Sequence, residues 1–538
     1  MSSRISAATA SSRLSTLFKA SLPCLVALGC SCAGSADPGA FRSYLESEPT
    51  SLDPAFAVDV SSGVLCSLIY ERLVRPGDDL SIEPSLAGGW EVSPDGTVYT
   101  FHLREAYFSD GKRITAGDVK HSLERLLRPD VGSPRGWVMA PVVGAEGFRS
   151  GRRDSLRGIR AVDERTVEIS LKEPFPAFLS MLAMPSASVV PEGRARAAAP
   201  DDRRDPICSG PWVLLEWTRG ERVTLARNPR HWGPPALDRL VFRIIPERMT
   251  QIAEFEVGNL DHLQIPKSDL ARWTSDPAWR DRIERQVDLA VVYIGLNNRK
   301  PPLDDARVRR ALNHAVDAEA IVTRLMNGTA VRARGAVPPG LPGHDPDRPA
   351  YRYDVSLARE LLARAGYPDG FRMEIWYREG GGADQVLEAI QAYLKDAGVA
   401  AVLRAREWGT LKEAINRGVP DAYYLDWYAD YPDAENFLYP LFHSDNWGGG
   451  GNRARYSDSA VDSLLEEASR VVSSDERYEL YLRIDERVYK DAPWIFLWHP
   501  VTSEVRQPWV RGDVLHPLFY GQRFTEVTKT GRSGRDAG

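Results

Sequence analysis

FRMEIWYREGGGADQVLEAIQAYLKDAGVAAVLRAR, residues 371–406, carries a complete strand–helix–strand unit. Residues 371–377 read as a strand, 383–397 as a helix stopped by Gly398, and 400–406 as a second strand, glycine being the residue that closes a helix most easily. Working outward, 291–296 is an apolar strand, and 305–316 and 318–326 are helices with Asp317 as an N-cap between them. Residues 356–365 form a helix ended by Gly366, 461–472 and 476–490 form two more, and 494–498 is a last apolar strand.

The first half repeats the alternation in a separate stretch. A strand at 41–45 leads into the proline-bracketed turn Glu48-Pro49-Thr50-Ser51-Leu52-Asp53-Pro54, and 64–74 has helical periodicity. Residues 90–103 read as two strands joined by Ser93-Pro94-Asp95-Gly96, a hairpin by its turn chemistry. Thr115 caps a helix running to 127, with Asp118 in its first turn, where a negative charge suits the helix dipole. Strands follow at 166–171, 212–226 and 239–245. Two separated stretches of this kind predict an α/β protein with at least two lobes, and no internal repeat is present.

The chain has 538 residues, 43% apolar and 26% charged, with a formal net charge of −6. That is a folded composition long enough for several cores. A nucleic-acid binder would carry a basic stripe and a high pI, and none is expected here. Five cysteines, none at metal-ligand spacing, and nine scattered histidines predict no metal site and no cofactor. No nucleophile elbow, zincin helix, Walker loop or dinucleotide fingerprint is present. Gly448-Gly449-Gly450-Gly451 neither follows a strand nor opens a helix, and it reads as a flexible loop.

Residues 1–30 read as an export signal. Arg4, Arg13 and Lys19 precede the short apolar run Leu22–Gly29, and the first acidic residue is Asp37. The run is too short to span a bilayer, which needs about 20 apolar residues. Ala27-Leu28-Gly29-Cys30 resembles a bacterial lipobox, so Cys30 is the expected lipidation site, with Cys32 the alternative. Acyl chains on one cysteine, at about 0.8 kcal/mol per buried methylene, hold a protein at a membrane surface. The expected location is the periplasm or extracytoplasmic face, anchored by lipid. Cys66 and Cys208 would then sit where a disulfide is permitted, and sequence leaves open whether they form one.

An ordered set of segments resembles the oligopeptide- and dipeptide-binding proteins of bacterial ABC importers, extracellular solute-binding protein family 5. The set comprises Glu48–Pro54; Tyr70-Glu71-Arg72-Leu73; Trp90…Tyr99-Thr100-Phe101-His102-Leu103-Arg104; and Phe108-Ser109-Asp110-Gly111 with Thr115–Val119. It continues with Ser209-Gly210-Pro211-Trp212; Arg227-Asn228-Pro229; Asn297 with Asp305–Leu312; and Ala358–Tyr367. The resemblance implies a two-lobe, three-domain periplasmic-binding-protein fold (class II, cluster C-like) that closes on its ligand by a hinge. Mapped onto this chain, the first lobe is 33–70, 190–289 and 499–530, with an inserted domain at 71–189. The second lobe is 290–498. It also implies a monomer that is no enzyme, captures short peptides and hands them to membrane permease subunits. Nickel chelates, oligosaccharides, opines and murein peptides are the alternative ligands, and a secreted hydrolase is the alternative activity.

In the resembling proteins the segment Asp426-Trp427-Tyr428-Ala429-Asp430-Tyr431-Pro432-Asp433 lies in the cleft. The resemblance gives Asp430 the ligand's α-ammonium, Trp427 a packing surface, and Tyr428 and Ala429 main-chain contacts to a peptide held as an added strand. Trp408, Trp498 and His499 fall in segments that reach the cleft. Two departures are informative. Asp426 replaces the usual glycine and favours a basic ligand side chain. Arg135, in Ser133-Pro134-Arg135, stands where oligopeptide binders carry tyrosine and supplies a clamp for the ligand carboxylate.

Overall fold

Phe371–Arg378, Asp384–Asp396 and Val399–Arg406 form the expected strand–helix–strand unit, and its strands pair in parallel. A parallel pair needs a crossover of about this length, and the helix supplies it by burying Val386, Leu387, Ile390 and Leu394. Gly398 ends the helix at φ +91°, and a side chain at Gly370 would put its Cβ 1.8 Å from the Gly398 carbonyl oxygen. Two glycines therefore let the strand starts meet. The computed structural model describes residues 39–193, 206–512 and 515–530. The expected export segment and Cys30 lie outside the described residues.

This unit forms one edge of an eight-stranded mixed sheet. The order is His262–Gln264, Trp494–Arg506, Ala290–Leu296, Ala422–Tyr428, Phe371–Arg378, Val399–Arg406, with Ile283–Val287 and Ala330–Arg332 also paired to Trp494–Arg506. Every residue of Ala290–Leu296 is buried. A strand covered on both faces reads as a continuous apolar run rather than an alternation. Val291 and Tyr293 enter one core, and Val292 and Ile294 enter the other.

Two four-stranded sheets complete the framework. One orders Ala40–Leu45, Arg239–Ile244, Arg222–Arg227, Trp212–Thr218, with only the first pair parallel. The other is antiparallel, in the order Ala87–Val92, Val98–Leu103, Thr166–Ser170, Ile159–Ala161. Its core draws on residues from Ala55 to Val189, joined by Tyr431 from far along the chain. A further core unites Phe41–Tyr70, Val190–Phe242 and Val510–Val527, bringing the start, middle and end of the chain together.

Several elements differ from the sequence reading. The helix expected at 64–74 is Val60–Ile69, because the Asp59 carboxylate caps it at Ser62 and Tyr70 turns to extended backbone. The strand expected to stop at 498 continues to Arg506. Its later half alternates, with Ser503 and Val505 buried between half-buried Thr502 and Glu504, and so lacks the continuous apolar signature. The glycine run is a packed turn instead of a flexible loop: Cβ atoms at Gly448 and Gly451 would lie 2.4 and 2.5 Å from the carbonyl oxygens of Asn416 and Pro440. Cys66 and Cys208 are both buried and no disulfide joins them. Burial pushes the Cys66 thiol well above its usual range.

Candidate functional site

Ala422–Tyr428 runs between Ala290–Leu296 and Phe371–Arg378, in the interior of the large sheet. Strand alternation divides its residues. Tyr423, Leu425 and Trp427 turn to one core, while Tyr424 packs on the other and shares its face with Asp426 and Tyr428. The sequence places Asp426, Trp427, Tyr428 and Asp430 side by side. The fold separates Asp426 and Tyr428 from Trp427.

The chain leaves the strand at Ala429, which is buried and donates its N–H to Leu289 O at 2.8 Å. That bond, just beyond the ends of the two paired strands, uses its main-chain donor. Asp430 comes next, and three regions of the chain fix it. Its backbone N–H donates to Asn436 Oδ1 at 3.1 Å, and the same oxygen accepts from Trp427 Nε1 at 3.3 Å. Its carbonyl accepts from the Tyr520 hydroxyl at 2.8 Å. Its carboxylate meets Arg135, with Nη1 3.2 Å from Oδ1. The next residue, Tyr431, sets its ring 6.2 Å from that of Trp137, which reinforces the approach of the Arg135 segment.

The Arg135 and Asp430 side chains are 19% and 35% exposed. A pair of that exposure contributes on the order of 1 kcal/mol. Burial raises the Asp430 carboxyl above the ordinary aspartate range, and Arg135 opposes the rise by charge and hydrogen bond. A carboxylate in this condition gains from a cation more than a solvated one does.

Behind Tyr520 lies a buried charge cluster. Glu71 accepts from Arg523, from Ser85 and from His231 Nε2 at 2.9 Å. Although burial pushes the other way, Arg523 and His231 hold its carboxyl well below the usual range, with Arg523 the larger. Arg72 is fully enclosed, its Nε and Nη1 make no hydrogen bond, and its guanidinium lies 5.9 Å from the Tyr520 ring. Burial lowers its pKa to about 10, so it remains a cation at neutral pH.

Asp426 and Tyr428 are both exposed, Tyr428 by 55%. Desolvation raises both, and Arg378 partly offsets it at Asp426. Trp408 opens the helix Trp408–Asn416, capped by Glu407, and is 42% exposed with the Arg378 guanidinium 5.8 Å over its ring. Trp427 carries Arg453 at 5.9 Å over its ring. Both aromatic surfaces are therefore already stacked by a cation from the chain itself.

Trp498 and His499 are not at a water-accessible surface. The strand that carries them is covered on both faces. Trp498 is 2% exposed and packs on Tyr424, and His499 is fully buried with Nδ1 2.8 Å from Ala290 O. Burial lowers the His499 pKa to about 3. The sequence reading also missed Asn436, Tyr520 and Arg453. Asn436 lies only six residues past Asp430, but Tyr520 and Arg453 had no local signal. Among the described residues no group of three or more His, Cys, Asp or Glu is arranged to hold a metal ion. No described helix is long and apolar enough to cross a membrane.

With this geometry in hand, comparison with known proteins is direct. The family model for bacterial extracellular solute-binding proteins, family 5 Middle, matches residues 81–449. The chain is 32% identical over 497 residues to heme-binding protein A of Haemophilus influenzae, covering 88% of this chain and 89% of that one. It is 31% identical to the probable di/tripeptide-binding protein 5 of Pseudomonas aeruginosa, covering 87% and 90%. The ABC transporter-associated periplasmic binding protein DppA from Helicobacter pylori, solved in complex with the peptide STSA, superposes with a TM-score of 0.74 at 28% identity, covering 91% and 97%.

Proposed function

The chain belongs to the bacterial extracellular solute-binding proteins of family 5, and from that premise we propose that it captures short peptides for an ABC importer and releases them unchanged. The observation that carries the peptide reading is Asp430. Its carboxylate is raised by burial, its backbone is fixed at both ends, and its one cationic partner among the described residues is Arg135. A peptide's α-ammonium is the compact cation such a carboxylate accepts through charge-assisted hydrogen bonds. Arg135 then takes the peptide's carboxylate, and Trp427 and Trp408 pack on the peptide where the Arg453 and Arg378 guanidinium groups leave their rings uncovered. Asp426, exposed and across the sheet from Trp427, offers a carboxylate suited to a basic side chain.

The cores support a division into a first lobe of 33–70, 190–289 and 499–530, an insert at 71–189 and a second lobe at 290–498. Cys30 is the proposed lipid anchor at an extracytoplasmic membrane face, and the protein acts as a monomer with no catalytic step. Isothermal titration with short peptides tests the reading, with mass spectrometry of the recovered ligand. Free peptides should bind and return intact, whereas N-acetylated ones should bind much more weakly. Binding of heme with no binding of free peptides would contradict the proposal, and so would hydrolysis. The mass of the mature N-terminus tests Cys30, where a diacylated or triacylated cysteine is expected.

A further inference from the structure

We propose that the Arg135–Asp430 ion pair is a built-in competitor for the solute, which binds by exchanging both halves of the pair at once. The solute's ammonium displaces the guanidinium from Asp430, and its carboxylate receives the released Arg135. This rests on the reading of Asp430 given above and names the solute class that follows from it: zwitterions with a free amine and a free carboxylate.

The geometry makes Arg135 and the solute ammonium rivals for one carboxylate. Arg135 Nη1 lies 3.2 Å from Asp430 Oδ1 across 295 residues of chain. The Arg135 backbone is fixed by its own hydrogen bond to Ser133 Oγ at 3.1 Å, and that hydroxyl donates to Ala55 O at 2.6 Å. The guanidinium therefore moves on an anchored stem. Among the described residues, Asp430 is the only carboxylate paired with Arg135.

Charge counting then selects the solute. A simple amine that took Asp430 would leave Arg135, 19% exposed, without a counter-charge. A simple acid that took Arg135 would strand Asp430 in the same way. Stranding one member of a desolvated pair costs more than the pair contributes. Among charged solutes, a zwitterion opens one ion pair, makes two and leaves neither residue unpaired. Peptides blocked at either end are disfavoured by the same count, while a neutral solute leaves the pair closed and gains no ion pair.

The test uses Ala-Ala-Ala as the free acid, the C-terminal amide and the N-acetyl form, titrated calorimetrically into wild type, Arg135→Gln and Arg135→Lys. Wild type should bind the free acid at least tenfold more tightly than the amide. Arg135→Gln should bind acid and amide within threefold of each other, and should bind the amide at least threefold more tightly than wild type does, because no internal pair has to open. Arg135→Lys should restore the preference for the acid. An arginine that only clamped the carboxylate would leave the amide's affinity unchanged by Arg135→Gln, and that result would overturn the exchange while sparing the peptide reading. Equal binding of acid and amide to wild type would overturn it without recourse to any variant. Failure of the free acid and of longer unblocked alanine peptides to bind wild type would remove the peptide reading and the exchange together.

Discussion

Replacing Asp430 by Asn removes the charge, keeps the shape, and leaves both backbone hydrogen bonds of that residue in place. The expected loss in peptide affinity can be worked from the structure. Removing one partner of a buried, hydrogen-bonded charge pair costs about 2–5 kcal/mol or more. The Asp430 side chain is 35% exposed, so the lower part of that range, about 2–3 kcal/mol, applies. Wild type, however, must first open the Arg135 pair, at about 1 kcal/mol, and the variant has no such pair to open. The net loss is about 1–2 kcal/mol, roughly 5- to 30-fold in Kd. Calorimetric titration of Ala-Ala-Ala into both proteins reads this directly. The N-acetyl form supplies the control: its disadvantage relative to the free peptide should shrink sharply in Asp430→Asn. An affinity within twofold of wild type, with the N-acetyl penalty intact, would refute the assignment of Asp430.

Three further outcomes follow from the buried charges. Glu435 is raised by burial to about 7, so the folded state holds its proton more tightly than the unfolded chain does, and its share of stability is lost as pH rises from about 4.5 through 7; Glu435→Gln should therefore gain about 1–3 kcal/mol over wild type at pH 8 and nothing at pH 4, read by chemical denaturation. His499 is depressed by burial to about 3, so its share of stability is complete above pH 6.5 and is lost as pH falls toward 3; His499→Gln should flatten the acid limb of the stability curve by up to about 1.4 kcal/mol per pH unit. Glu71→Ala strands Arg523 and leaves Arg72 beside it, and should destabilise by about 3–5 kcal/mol, seen as a lowered thermal midpoint.

Much of the fold was legible because its signals are local. The unit at 371–406 announces itself through two strands and a helix stopped by Gly398, and Thr115 with Asp118 forms the reciprocal cap that their spacing suggests. The later half of Trp494–Arg506 was not legible, since its alternating, partly exposed residues carry no continuous apolar run. Asp430 and Arg135 were both singled out, but their contact spans 295 residues and no pattern along the chain encodes it. The division of 426–430 between two faces was not legible in the order of its residues, because a strand sends consecutive side chains to opposite faces. The burial of Trp498 and His499 was not legible, because sheet order, rather than sequence, determines which strands are covered on both sides.

Native mass spectrometry of the protein isolated from cells under gentle conditions tests, without any assumed ligand, whether the solute is held by its free amine. Adducts are expected whose masses and fragments identify unblocked short peptides, lost from the Asp430→Asn variant under the same conditions. Adducts of a solute without a free amine, retained equally by wild type and Asp430→Asn, would contradict binding through the amine.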